Sequence, residues 1–335
     1  MAARQGQKIK LLALLDILRR ETDEDHPLSA QALCQKLAEQ NITAERKSIY
    51  SDIDTLIGYG VDIIRTRVPR AGFFLGAREF ETPEIYLLSD AVRSADFISA
   101  KKSRELVGKL GRMLSIYEEK RQRAAVFYDR PNRCRNEELF YLIDAISSAI
   151  SKGKKISFQY ATRVLTAERT LGEKIKDRTV SPYAMTWQDD HYYLICNYEK
   201  YDNLLNLRID RMHGVTVLSE DARPFCEVSP YREVFDVADY TGKLFGMYTG
   251  SPEKITLQCD KNIIEQVVDR FSEKIFITNV DENTFSFSTE AVISDALVTW
   301  LMHYGDTVRV LAPPRLKEQI VARAEKVLAL YQKEL

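Results

Sequence analysis

Apolar side chains recur at Ile9, Leu12 and Leu15, with Leu11, Leu14, Ile17 and Leu18 beside them. That spacing predicts an amphipathic helix over residues 8–20. After a polar loop, Ser29 stands where an N-cap would open a short helix, Ala30 to Gln40. Thr43 is placed to cap a third helix, Ala44 to about Tyr59, with Gly60 as its stop. On that helix Ile49, Ile53, Leu56 and Ile57 share an arc of roughly 100°. Lys47, Ser48, Ser51 and Thr55 lie opposite, and Arg46 sits in the first turn. Strand, turn and strand follow at Asp62–Val68, Pro69–Gly72 and Phe73–Leu75. This order predicts a winged helix-turn-helix over residues 1–80. Its third helix would enter a major groove N-terminal end first, with the wing on phosphates or in the minor groove. The expected contacts to double-stranded DNA are Arg46, Lys47, Ser48, Tyr50, Ser51, Arg65, Arg67 and Arg70.

Helical spacing returns from Glu84 to Tyr117, Pro131-Asn132 breaks the chain, and Glu137 to Ser151 reads as a further helix. Residues 81–152 are thus a helical connector whose apolar faces need partners, within the chain or on a second copy. Near-palindromic operators favour two-fold symmetric readers, so a homodimer is expected.

The period then drops to two. Lys155–Tyr160, Arg178–Trp187, His191–Tyr198, Leu204–Arg208 and Gly214–Leu218 read as short strands, with Asp189-Asp190 as a turn. Five such strands predict a small Sm-like β-barrel within residues 153–240. Residues 252–335 alternate strand, helix, strand, strand, helix, strand, then a last helix, which is a ferredoxin-like βαββαβ order with one helix added. The fold class expected is α+β, multidomain, which suits a chain of 335 residues.

Net charge is −1, so composition alone does not announce a nucleic-acid binder. Distribution changes that picture. Between Ile63 and Arg78 there are four arginines and no acid. Lys101 to Arg135 holds eleven Lys/Arg against four Asp/Glu, a pattern that a solvated helical face also explains. Five scattered cysteines without a CxxC, and four dispersed histidines, argue against a disulfide framework or a structural metal. No apolar run nears the roughly 18 residues of a membrane span, and Asp16 interrupts the N-terminal apolar stretch, so a cytoplasmic protein is expected.

The candidate chemistry lies in the β-region. Arginine offers a planar donor fork suited to phosphate, and tyrosine a stacking face with a hydroxyl. Tyr160, Arg178, Tyr183, Tyr193, Arg208 and Arg211 together would suit a nucleotide or single-stranded nucleic acid, with Asp210 orienting an arginine. The competing explanation is a core tyrosine beside an exposed one, with the arginines paired to nearby acids. No Walker loop, GxSxG or HExxH is present, so an enzyme, for instance one processing nucleotides, is disfavoured and no cofactor is expected. A protein- or nucleic-acid-binding adaptor without operator binding is the other alternative.

The stretch "ITAERKSIYSDIDTLIGYGVDI" resembles the winged helix-turn-helix of transcription regulators that carry a WYL domain. Ser51 stands where that family usually has arginine before Asp-Ile, which leaves more of the contact to Arg46, Lys47 and Tyr50. Tyr192-Tyr193-Leu194 occupies the namesake motif with Tyr in place of Trp, while "VSPYAM" and "LRIDRM" resemble its flanking strands. "TWLMHYGDTVRVLAPPRLKEQIVARA" resembles the C-terminal extension that follows WYL domains. The resemblance implies a ligand-responsive DNA-binding regulator with a sensing pocket in the β-region.

Overall fold

The computed structural model describes residues 2–125, 133–134, 136–231, 234–273 and 275–332. The expected break at Pro131-Asn132 lies outside them, as do Arg130 and Arg135 of the basic run. The protein is mixed α+β and divides into two compact units, Met1–Glu137 and Glu138–Leu335.

In the first unit, helices α1 (Ala2–Glu21), α2 (Ala30–Glu39) and α3 (Arg46–Gly58) precede a hairpin of β1 (Ile63–Thr66) and β2 (Gly72–Leu75). Leu14, Ile17 and Leu18 of α1, Leu33 and Leu37 of α2, and Ile49, Ile53 and Leu56 of α3 close on Ile63, Phe73 and Leu75 of the hairpin. Leu28 makes an isolated antiparallel bridge to Phe73 beside the two-stranded wing. The Ser29 hydroxyl accepts from the Ala32 N–H and caps α2. Thr43 does not cap α3: the N-cap is Glu45, without a side-chain hydrogen bond. Ile57 is not on the buried arc either, for it stays 46% exposed. Gly60, at φ 101°, provides the left-handed stop.

The single helix expected over Glu84 to Tyr117 is three: α4 (Thr82–Ser94), α5 (Ala100–Gly111) and α6 (Ile116–Ala125). Two serines punctuate it. Ser99 accepts from the Lys102 N–H, and the Ser115 hydroxyl from the Glu118 N–H. Between α4 and α5 the backbone turns extended at Ala95, and Phe97 and Ile98 are buried. Hydrophobic periodicity runs through these breaks because loop residues bury too.

In the second unit, α7 (Leu139–Lys152) packs on a sheet of β3 (Lys154–Leu165), β4 (Leu171–Gln188), β5 (His191–Asn197), β6 (Leu205–Arg208) and β7 (Met212–Asp221). The sequence grouped α7 with the connector, but its Leu139, Leu142, Ile146 and Ala149 are buried in this unit. Strand order is β6-β5-β4-β3-β7. The strands do not close into the expected barrel, since β6 and β7 lie at opposite ends of an open sheet and are joined by a 3-10 turn, Ile209–Arg211. The β4–β5 turn is at Asp189-Asp190, both with positive φ (49° and 57°), as a two-residue hairpin of matching twist requires.

Short helices α8 (Phe225–Val228) and α9 (Val237–Gly242) lead to a second sheet. Its elements are β8 (Pro252–Asp260), α10 (Ile264–Phe271), β9 (Phe276–Val280), β10 (Thr284–Val292), α11 (Asp295–His303), β11 (Val308–Ala312) and α12 (Pro314–Tyr331). The sheet is antiparallel, in the order β11-β8-β10-β9. Tyr193 of β5 joins Leu244, Met247 and Val292 in a buried cluster that ties the two sheets together. Among the described residues no helix is long and apolar enough to cross a membrane.

Candidate functional site

Arg46 and Lys47 open α3 and are exposed. Ser48 turns its hydroxyl onto the Glu45 carbonyl (2.8 Å), while Ser51 is exposed and lends its carbonyl to Thr55 (2.8 Å). Asp52 faces the other way, into a 2.7 Å ion pair with Lys10 that pins α3 to α1. Tyr50 meets the edge of Phe73, and the Arg65 guanidinium lies over both rings, 5.7 and 5.2 Å from their centroids. That stacking, with Asp54 at 3.5 Å, holds Arg65 against α3. On the wing Arg67 is exposed, whereas Arg70 donates Nε to the Pro27 carbonyl (2.8 Å). All eight expected contacts thus fall on α3 or the wing, but Arg67, Arg46 and Lys47 carry the least-engaged charges. Arg78 of the same basic run is inside. It donates to the carbonyls of Arg19 and Thr22 (2.7 Å each), and burial pushes its pKa down.

The second cluster is built around the β6–β7 corner. Arg208 ends β6, and two residues later the 3-10 turn returns Asp210 to it. The guanidinium donates Nε to Oδ1 (3.0 Å) and Nη2 to Oδ2 (2.6 Å), a two-point fork. Nη1 reaches His191 Nε2 at 2.7 Å. Guanidinium only donates, so Nε2 accepts and the imidazole is neutral with its proton on Nδ1. Burial, and then the Arg208 charge, hold the His191 pKa below its ordinary value, which agrees. Nδ1 itself is buried without a hydrogen-bond partner. Burial works against the Arg208 charge, but the bonds to Asp210 outweigh it and its pKa is raised.

Tyr160 lies beside this corner. Its hydroxyl accepts from the Arg208 backbone N–H (3.3 Å), and burial raises its pKa against the nearby Arg211 charge. Arg211 is half-buried and makes no ion pair among the described residues. Arg178 shares the Tyr160 face, because it opposes Phe158 in the β3–β4 register. It lies 5.1 Å over the Tyr198 ring, with its Nε buried and unpartnered. Tyr198, whose hydroxyl is also buried and unpartnered, is pushed up to about 12 by burial.

Tyr160, Arg178, Arg208 and Arg211 therefore gather, Tyr193 borders them edge-on to His191 with 6.3 Å between centroids, and Tyr183 lies apart. Tyr183 donates its hydroxyl to the Arg223 carbonyl (2.9 Å) and meets Phe225 edge-on. Tyr193 is the cross-strand partner of Arg208, yet its ring is 9% exposed in the apolar cluster between the sheets. Sequence reasoning missed His191 and Tyr198, which carried no signal beyond being polar ends of a strand. It also missed Lys174 and Lys176, exposed on the Tyr160 face. Their alternation with Arg178 was visible, but the strand was begun at Arg178.

Residues 141–217 match the WYL domain, and residues 251–328 match the WCX domain. The chain carries a WYL domain followed by a WCX domain. The WYL match takes in part of α7 with the sheet, and with it Arg208, Asp210, Arg211, His191 and Tyr160. The WCX match covers the second sheet and most of α12. Comparison with curated proteins finds no match. Among solved structures, proteasome accessory factor B/C (PafBC) of Arthrobacter aurescens is similar at 15% identity and a TM-score of 0.28, over 97% of this chain and 49% of that one. The chain thus spans about half the length of PafBC. A CRISPR Cas-related protein is similar at 13% identity and a TM-score of 0.25, over 98% of this chain and 84% of that one.

Proposed function

We propose that this chain is a DNA-binding transcription regulator whose WYL domain senses a phosphate-bearing anion, a nucleotide or single-stranded nucleic acid. The observation that carries the sensing half is the Arg208 fork, pre-oriented by Asp210 and His191, beside the unpaired Arg211 and the Tyr160 hydroxyl. An arginine already fixed in its rotamer loses little entropy on binding phosphate, and Arg211 forms no ion pair among the described residues. The DNA half rests on the winged-helix order with Arg46, Lys47 and Arg67 exposed on the reading elements. Lys174 and Lys176 continue the cationic face outward, which favours a ligand with several linked phosphates over a mononucleotide.

On this reading the protein works as a cytoplasmic homodimer on a near-palindromic operator and needs no cofactor, and we assign it no reaction. The C-terminal order β8-α10-β9-β10-α11-β11 reads as ferredoxin-like. An effector can shift operator binding only by as much as its affinity differs between the two states. The test is calorimetric titration of the full chain with thymidine monophosphate and with a short oligothymidylate. Wild type should bind the oligonucleotide, and Arg208→Ala should lose about tenfold or more, as expected for charge-assisted bonds. Equal binding by wild type and variant would remove Arg208 from the site.

A further inference from the structure

The β3–β4 hairpin extends beyond the sheet that bears it. The β3–β7 pairing reaches Tyr160 and goes no further outward, and β4 pairs with β5 only from Ser181 onward. From Ala161 to Ile175 the two strands pair with each other alone, down to Leu165 opposite Leu171. The connecting turn is closed by Thr166 N–H on the Thr170 carbonyl (2.9 Å), with Arg169 at φ 59°.

Directly opposed residues share a face. One face of this arm carries Thr162 with Lys174 and continues the Tyr160 surface. The other carries Leu165 with Leu171, Arg163 with Glu173, and Ala161 with Ile175. On that second face Ala161, at the base of the arm, is buried, but the apolar side chains further out are bare: Leu165 is 80% exposed, Leu171 75% and Ile175 54%. Arg163 and Glu173 are exposed and face each other, yet form no ion pair.

This face is complementary to itself. A two-fold axis running along the arm, midway between two stacked copies, lays β3 of one on β4 of the other. Leu165 then meets Leu171 of the second copy. Arg163 meets Glu173 of the second copy, and the reverse contact follows by symmetry. The alternative two-fold, across the arm, would lay β3 on β3 and, centred on Arg163, would set Arg163 against Arg163 and Glu173 against Glu173, so charge disfavours that register and matches the first arrangement. We infer that the outer β3–β4 arm is a dimerisation clasp that binds the same arm of a second copy of this chain. The arm alone is smaller than the roughly 800 Å² per partner of a standard interface, so the contact it makes is concentration-dependent unless other surfaces add to it.

The clasp rests on the two-fold organisation in the proposed function, but its test does not read DNA. Sedimentation equilibrium of the full chain gives the dimer constant for wild type, Arg163→Glu, Glu173→Arg and the variant carrying both. Each single reversal sets like charges against each other twice per dimer and should weaken association about tenfold or more. The doubly substituted protein restores opposite charges across the axis and should recover most of the loss. Leu165→Ser with Leu171→Ser should also dissociate the dimer. Melting temperatures close to wild type check that these exposed positions leave the fold intact. A wild type that stays monomeric would overturn the clasp, as would single reversals without effect or a double reversal no better than either single. A monomer that still reads a specific duplex would overturn the clasp and leave the regulator standing. A dimer with clasp behaviour and no duplex binding would do the opposite.

Discussion

Arg208 shows what a side chain gains from its neighbours. In isolation it is one of many surface arginines. Held by Asp210 on Nε and Nη2 and by His191 on Nη1, it is fixed in place, paired to an acid, with one N–H on each Nη left to donate as an end-on fork. Lysine cannot reproduce that fork, so Arg208→Lys should lose the effector response nearly as fully as alanine does, measured by the effector's influence on operator affinity. His191 offers an independent readout. Because burial and the Arg208 charge disfavour its charged form, its imidazole should titrate below 6.5 in an NMR pH series. Arg208→Ala should move that titration upward, and an unmoved midpoint would mean the contact is not made in solution. The arginines of this corner were legible in the sequence, through the Leu207-to-Met212 pattern. Tyr193 lies beside Arg208 as expected, but its burial was not legible, because alternation says that two tyrosines face opposite ways, not which face a following domain covers.

At the scale of elements, most of the errors were at ends. The three helices of the connector were read as one because Phe97 and Ile98 keep the hydrophobic period going through a loop. Ser99, which caps α5, was a local signal that periodicity overrode. Ser99→Ala should cost about 1 kcal/mol, read from the denaturation midpoint, with the fold retained. In α3, Ile53 is fully buried at the centre of the winged-helix core, and Ile53→Ala should cost about 2–5 kcal/mol. Ile57, one position past that arc and exposed, should tolerate the same change almost freely. The long β3–β4 arm was not legible at all. Its strands mix apolar, basic and acidic residues on exposed faces, so neither alternation nor composition marks them as strand.

Across the whole molecule, polar groups add to the apolar core in joining the first unit internally. Asp23 after α1 accepts from Ser115 before α6 (2.6 Å) and contacts His26 (2.6 Å), whose ring stacks on Tyr117 of α6 at 3.6 Å. Arg20 donates to the Gly111 and Leu114 carbonyls (3.0 and 2.6 Å) and pairs with Glu119 (2.8 Å). Burial pushes the Asp23 carboxyl up, but its bonds to Ser115 and His26 outweigh that, and its pKa falls below the ordinary 3.8. The unfolded chain therefore binds this proton first. The resulting stability is present above the ordinary aspartate value and is lost as pH falls through the lower folded value. Thermal melts of wild type should decline below about pH 4, and Asp23→Asn should be weaker at neutral pH with a shallower acid decline. The change of period near residue 153 marks where the β-rich sheet begins, but the division between the two units falls earlier, at Glu137 and Glu138, because α7 packs on that sheet. The open rather than closed sheet was not legible, because strand count does not reveal whether the two edge strands meet.

On the proposed function, α3 and the wing read duplex DNA. Fluorescence anisotropy with duplexes from upstream of the chain's own coding sequence, against a scrambled duplex and across a salt series, tests it most directly. A sequence preference that survives physiological salt is expected, with Arg67→Ala lowering the salt slope by about 0.9 through loss of one phosphate contact. Binding that is absent, or equal on both duplexes and unchanged in slope by Arg67→Ala and Arg46→Ala, would contradict it.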